Sequence, residues 1–103
     1  MSGEEERYLS IGQSTAGAVQ SQMFGKPCFK INGKAFIAFF ESCMVFKLSG
    51  ATHTEALNLN GSVLFDPSHK KRPMKEWVQV PYEHQDKWDK YAIAAMAYVR
   101  SGK

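Results

Sequence analysis

The sequence predicts an α+β domain: an antiparallel five-stranded sheet packed with a C-terminal helix over 83–100 and short helices near 4–11 and 52–59. Three observations predict it. Residues 22–48 hold three short apolar runs separated by Asn32-Gly33 and Glu41-Ser42, the pattern of a β-meander. Segments at 62–65 and 75–80 add two further strands, the second alternating Glu76, Val78 and Val80 against Lys75, Trp77 and Gln79. Residues 83–100 carry Trp88, Tyr91, Ala92, Ala95, Met96 and Val99 at three- and four-residue spacing, the stripe of an amphipathic helix.

A chain of 103 residues is the size of one domain. It divides into an N-terminal helix and linker over 1–21 and an α+β body over 22–103. The chain has 44% hydrophobic residues with seven Phe, four Tyr and two Trp, so its body can fill a core and is not disordered. The net charge of +3 permits an acidic partner without demanding one. No apolar run reaches the roughly 18 residues that a membrane span needs. The acidic, polar start MSGEEERYLS is neither a secretory signal nor a transit peptide, so a cytoplasmic location is expected. There, Cys28 and Cys43 should be reduced thiols.

Taken in order, residues 4–11 place Glu4, Glu5 and Glu6 where a helix dipole favours negative charge. Gly12 to Ser21 is small and polar and reads as linker, with at most a turn of helix around Ala16–Gln20. The first strand covers Met23 to Ile31; Gly25 and Pro27 mark its early part as edge or bulged. Ala35 to Phe40 is apolar at every position and should be central. Cys43 to Leu48 follows the tight Glu41-Ser42 turn, which pairs Phe40 with Cys43.

Alternation then assigns Phe29, Ile31, Ala35, Ile37, Phe39, Met44, Phe46 and Leu48 to the core face, provided that the Asn32 turn has three residues with Gly33 in a bulge. Cys28, Lys30, Phe36, Ala38, Phe40, Cys43, Val45 and Lys47 fall on the opposite face. The two thiols, with a strand between them, lie about 9–10 Å apart, too far for a disulfide. Thr52 to Leu59 should form a short helix capped by Thr52 or Thr54 and ended by Asn60-Gly61. Glu83 with Lys87 and Asp86 with Lys90 have the i,i+4 spacing of helix ion pairs.

Few residues carry a chemical signature. Gly25-Lys26 and Gly33-Lys34 lack the second glycine and the following Ser or Thr of a phosphate loop. His53, His69 and His84 are dispersed without metal-ligand spacing. No cofactor or metal is expected. A thiol nucleophile at Cys28 or Cys43 would need a base and a lowered pKa, to which Lys30 or Lys47 could contribute. The run His69-Lys70-Lys71-Arg72, with Lys75, is the one concentrated basic patch. Lys30, Lys47, Trp77 and Gln79 on the non-core face could extend it into an anion or nucleic-acid contact, with Trp77 stacking on a base.

Met23-Phe24-Gly25, Lys30-Ile31-Asn32-Gly33-Lys34-Ala35-Phe36 and Met44-Val45-Phe46-Lys47-Leu48, then Leu64-Phe65-Asp66-Pro67 and Arg72-Pro73-Met74-Lys75-Glu76-Trp77-Val78, run in an order that resembles the TfoX N-terminal domain family and its YjbR-like relatives. The likeness spans residues 20 to 100. It implies a small bacterial-type α+β domain with a curved antiparallel sheet and no catalytic residues. In TfoX-type competence regulators a second, helical domain follows; this sequence stops before such a segment, so the regulatory role does not carry over. The expected function is a non-catalytic regulatory or protein-interaction module, working with a protein partner or as a homo-oligomer through the exposed edge of the first strand. Nucleic-acid binding through 69–75 is the alternative, and a cysteine enzyme on the Trp77 face a distant third.

Overall fold

The computed structural model describes residues 3–23, 25–66 and 74–100. The chain runs α1 (Gly3–Ser14), β1 (Val19–Met23), β2 (Lys26–Ile31), β3 (Lys34–Phe40), β4 (Cys43–Lys47), α2 (Gly50–Leu57), β5 (Val63–Phe65) and β6 (Met74–Val80). It ends with a 3-10 turn (Tyr82–Lys87) that leads into α3 (Trp88–Arg100). The architecture is α+β. The antiparallel sheet has six strands, not five, in the order β1-β2-β3-β4-β6-β5.

The additional strand is β1, in a segment read as linker from its sequence. Gly12 and Ser14 belong to α1, Gly17 turns the chain at φ 84°, and Val19–Met23 pairs with β2. The boundary expected at 21/22 therefore falls inside a strand. Met23 sits opposite Lys26, so the glycine expected to interrupt the first strand, Gly25 at φ 75°, instead turns a hairpin. Pro27 is not on an edge: β1 covers β2.

The β2–β3 turn also departs from expectation. Ile31 pairs with Lys34, leaving a two-residue turn with Asn32 at φ 53° and Gly33 at φ 79°. Asn-Gly supplies both left-handed positions of such a turn, so no third residue is needed. Lys30 pairs with Ala35 but Phe29 with Ile37, which leaves Phe36 as the extra residue of a bulge inside β3. From Phe29 backwards the register is the expected one. The faces of two residues change places: Phe36 joins Ile37 in the main core, while Ala35 packs against the cluster on the other face.

Phe40 pairs with Cys43 across Glu41-Ser42, as the sequence indicates. Both turn residues hold left-handed backbone, φ 50° and 65°, although neither is glycine. Beyond β4, α2 begins at Gly50, two residues earlier than expected. Ser49 is its N-cap, and neither Thr52 nor Thr54 fills that place. β6 returns between β4 and β5, pairing Phe46 with Val78.

The main core lies between one sheet face and the helices. α1 contributes Tyr8 and Ile11; α3 contributes Trp88, Tyr91, Ala92, Ala95 and Val99 along its predicted stripe. The helix expected over 83–100 is continuous only from Trp88. His84 (φ −106°, ψ 24°) breaks the preceding turn, and its amide donates to the Pro81 carbonyl at 3.0 Å. Residues 82–87 thus lack the α spacing that an i,i+4 pair of Glu83 with Lys87 requires. Lys90 instead reaches Glu55 on α2.

Gly12 fixes how close α1 lies to the sheet. A β-carbon there would lie inside the van der Waals envelope of the buried Phe29 ring. Overpacking at the upper end of about 1–3 kcal/mol exceeds the helix-propensity gain of about 1 kcal/mol. Gly12→Ala is therefore expected to lower unfolding free energy by about 2 kcal/mol in urea titration. The converse holds at the β3–β4 turn. Glu41→Asn with Ser42→Gly should raise stability by about 1–2 kcal/mol, because Asn and Gly tolerate the left-handed backbone that both positions hold.

Candidate functional site

The sheet face away from the helices is not an open platform. Its centre is a second apolar cluster of Cys28, Ala38, Phe40, Val45, Phe65 and Trp77, with Ala35 packed against it. The Phe40 and Phe65 rings meet edge-on with centroids 5.2 Å apart. Their strands are three spacings apart, about 14 Å, so the rings lean together across the intervening β4 and β6. Phe65 also packs on Trp77, centroids 6.5 Å apart.

That packing decides what the sequence-nominated residues can do. Trp77 is only 5% exposed, so its ring is not presented for stacking on a base. Lys30 lies on β2 opposite Ala35. Lys47 lies on β4 opposite Trp77, its ammonium 3.8 Å from a Glu76 carboxylate oxygen and 5.9 Å from the centre of the Tyr98 ring. Lys75 is exposed, and its carbonyl accepts a hydrogen bond from His53 Nε2 at 2.7 Å. Lys70, Lys71 and Arg72, with His69, lie outside the described residues. Among those described, the structure brings together Lys47 and Trp77 but sets Lys30 two strands away from Lys47.

For both thiols burial pushes the pKa up, opposite to the lowering that activates a nucleophile. Cys28 is fully buried, and burial raises its pKa despite the opposing charge of Lys30. Burial likewise raises that of Cys43 against a hydrogen bond with Gln79. Both are free, on strands flanking β3. His84 Nε2 donates to the Asn60 carbonyl at 2.8 Å, so His53 and His84 each fasten a backbone segment rather than face a thiol. No group of three or more His, Cys, Asp or Glu among the described residues could hold a metal ion. No described helix is long and apolar enough to cross a membrane.

An open groove of about 360 Å³ runs between the start of α2 and the outer side of α3, lined by Leu48, Ser49, Thr52, Ala94, Ala97 and Tyr98. The Tyr98 hydroxyl donates to Glu76 at 2.6 Å, and that bond raises its pKa. Glu55 holds the two helices together, accepting from Lys90 Nζ at 2.6 Å and from the Tyr91 hydroxyl at 2.7 Å. The groove contains hydroxyls and methyl groups but no thiol, imidazole or carboxylate among its lining residues.

The outstanding feature is the edge that the sequence did not predict. β1 ends the sheet, and among the described residues no strand pairs with its outer side. Its five residues, Val-Gln-Ser-Gln-Met, carry no charge and no proline. Val19 is 65% exposed. Edge strands are commonly protected by lysine, proline or a bulge, and β1 has none of these.

The peptide groups on that edge can be assigned. Pro27 has no N–H and lies opposite Gln22, so Gln22 and Pro27 cannot exchange two hydrogen bonds. Hydrogen-bonded and non-hydrogen-bonded pairs alternate along an antiparallel ladder. Gln20, opposite Phe29, is therefore also outside the bonded set. The N–H and C=O groups of Gln20 and Gln22 point away from β2, toward the open side. The signal available in the sequence was the alternation of Val19, Ser21 and Met23 with two glutamines before Gly25, too polar to stand out beside the apolar meander.

Comparison with models of known families, with curated proteins and with solved structures finds no match to this chain.

The Glu55 contacts give a pH-dependent expectation. Hydrogen bonds from Lys90 and then Tyr91 lower the Glu55 pKa below its ordinary value. A carboxylate depressed in the folded state stabilises fully above its unfolded pKa, about 4.3 for Glu, and loses that contribution as pH falls through the lower folded value. Glu55→Gln should thus lower the thermal midpoint at neutral pH, with the difference from wild type shrinking below about pH 4.3. Scanning calorimetry across that range reads it directly.

Proposed function

We propose that this chain is a non-catalytic protein-interaction module that engages a partner by strand addition at β1. The observation that carries this reading is the uncharged edge itself, with the backbone groups of Gln20 and Gln22 facing outward and Val19 exposed beside them. Main-chain hydrogen bonds supply affinity in this binding mode, and alternate side chains supply specificity. The ordered motifs that resemble the TfoX N-terminal domain family are compatible with a non-catalytic module, since that resemblance implies no catalytic residues here. Their implication rests on those residues alone. A nucleic-acid reading has less support, because Trp77 is packed against Phe65 and Lys47 sits beside Glu76.

A photo-activatable amino acid at position 20 tests the proposal in cells that express the chain. Cross-links from position 20 to a protein are expected, and they should be lost when Gln22→Pro, which removes an outward N–H while leaving the β1–β2 ladder intact, is added. The same probe at position 93, where Ile93 is an exposed residue on α3, serves as the control. Equal cross-linking from both positions, or none from position 20, would overturn the edge as the working surface.

A further inference from the structure

The geometry points to a second copy of this chain as the partner at β1, joined about a twofold axis through Ser21 to make one continuous twelve-stranded sheet. This inference rests on the reading of β1 as an interaction edge and names its occupant.

Self-complementarity carries it. In Val19-Gln20-Ser21-Gln22-Met23, amides flank a central serine and apolar residues flank the amides. Two such strands run antiparallel about Ser21 place Gln20 opposite Gln22 of the other copy, Val19 opposite position 23, and Ser21 opposite itself. A twofold interface must match its own surface in this way.

The hydrogen-bond phase agrees independently. A twofold antiparallel pair centred on Ser21 needs Gln20 and Gln22 to be the residues that exchange N–H and C=O with the other copy. Those are the two whose peptide groups the Pro27 pairing turns outward. Four backbone hydrogen bonds result, two for each Gln20–Gln22 pair. A pair centred on Gln20 would run position 23 against Gly17, and one centred on Gln22 would run Val19 against Gly25. Both glycines lie in left-handed turns, at φ 84° and 75°. Only the Ser21 axis uses all five residues of the strand.

Charge does not oppose it. Lys30 neighbours Val19, and Lys26 neighbours position 23. Across the axis, Lys30 of one copy and Lys26 of the other stand three strand spacings apart, about 14 Å. That exceeds the Debye length of about 10 Å in 0.1 M salt. The same pairing brings a second strand alongside the exposed Val19.

Size-exclusion chromatography with light scattering, over a wide range of concentration, tests the proposal. Wild type should approach twice the chain mass of 11.6 kDa. Gln20→Lys with Gln22→Lys places like charges opposite each other and should give monomer. Gln20→Lys with Gln22→Glu places opposite charges across the same axis and should restore the dimer; circular dichroism verifies that each variant folds. Monomeric wild type at the highest concentration overturns the proposal. So does a dimer that survives the double lysine change, and so does a lysine–glutamate variant no more dimeric than the double lysine one. Monomer together with position-20 cross-links to a different protein removes the second copy but leaves the interaction edge standing. Absence of any position-20 cross-link removes both.

Discussion

Two requirements meet in β3, and Phe36 reconciles them. The Asn32-Gly33 turn is closed by two residues, which pairs Ile31 with Lys34. The main core needs Phe29 beside Ile37, because Phe29 lies under α1 and packs edge-on against Tyr8 at 5.3 Å. Without an extra residue these two registers differ by one, and a one-residue slip would turn every inward side chain outward. The bulge at Phe36 absorbs the difference and places two consecutive large residues, Phe36 and Ile37, in the same core.

Much else depends on that register. Phe29 faces the main core on the strand whose other edge carries β1, so its position sets both the approach of α1 and the placement of the open edge. Gly12 permits the first: with no side chain there, α1 settles onto the Phe29 ring. The salt bridge between Arg7 and Asp89, at 2.8 Å, then ties α1 to α3 at the half-exposed rim of the same layer. Pairs of that kind contribute at most about 1 kcal/mol; the apolar layer beneath them does most of the holding.

The sheet is buried on both faces by different means. Helices cover one; on the other, Phe40, Phe65 and Trp77 lean over Val45, Ala38 and Cys28. This second cluster occupies the area where cations, an aromatic ring and thiols were expected to form a working surface. Among the described residues, Cys28, Lys30, Lys47 and Trp77 lie on the strands and pairings that the meander and β6 give them, with apolar neighbours packed around Cys28 and Trp77.

The sequence alone determined the α+β class, the positions of the meander turns at Asn32-Gly33 and Glu41-Ser42 though not the length of the first, and the inward stripe of α3, because left-handed turn preferences and apolar periodicity act over a few residues. Trp88, Tyr91, Ala92, Ala95 and Val99 were legible for that reason. β1 was not: Val19–Met23 becomes a strand only because β2 offers it a ladder, and its own residues have little to bury. Nor was the Phe36 bulge, since a run apolar at every position accepts an extra residue without disturbing its pattern. The burial of Trp77 depended on Phe65, twelve residues away in sequence and brought alongside by the return of β6. Local chemistry therefore set the apolar meander and the stripe of α3, but not β1. Tertiary pairing decided which edge stayed open, because a ladder forms only between strands that the whole fold brings side by side.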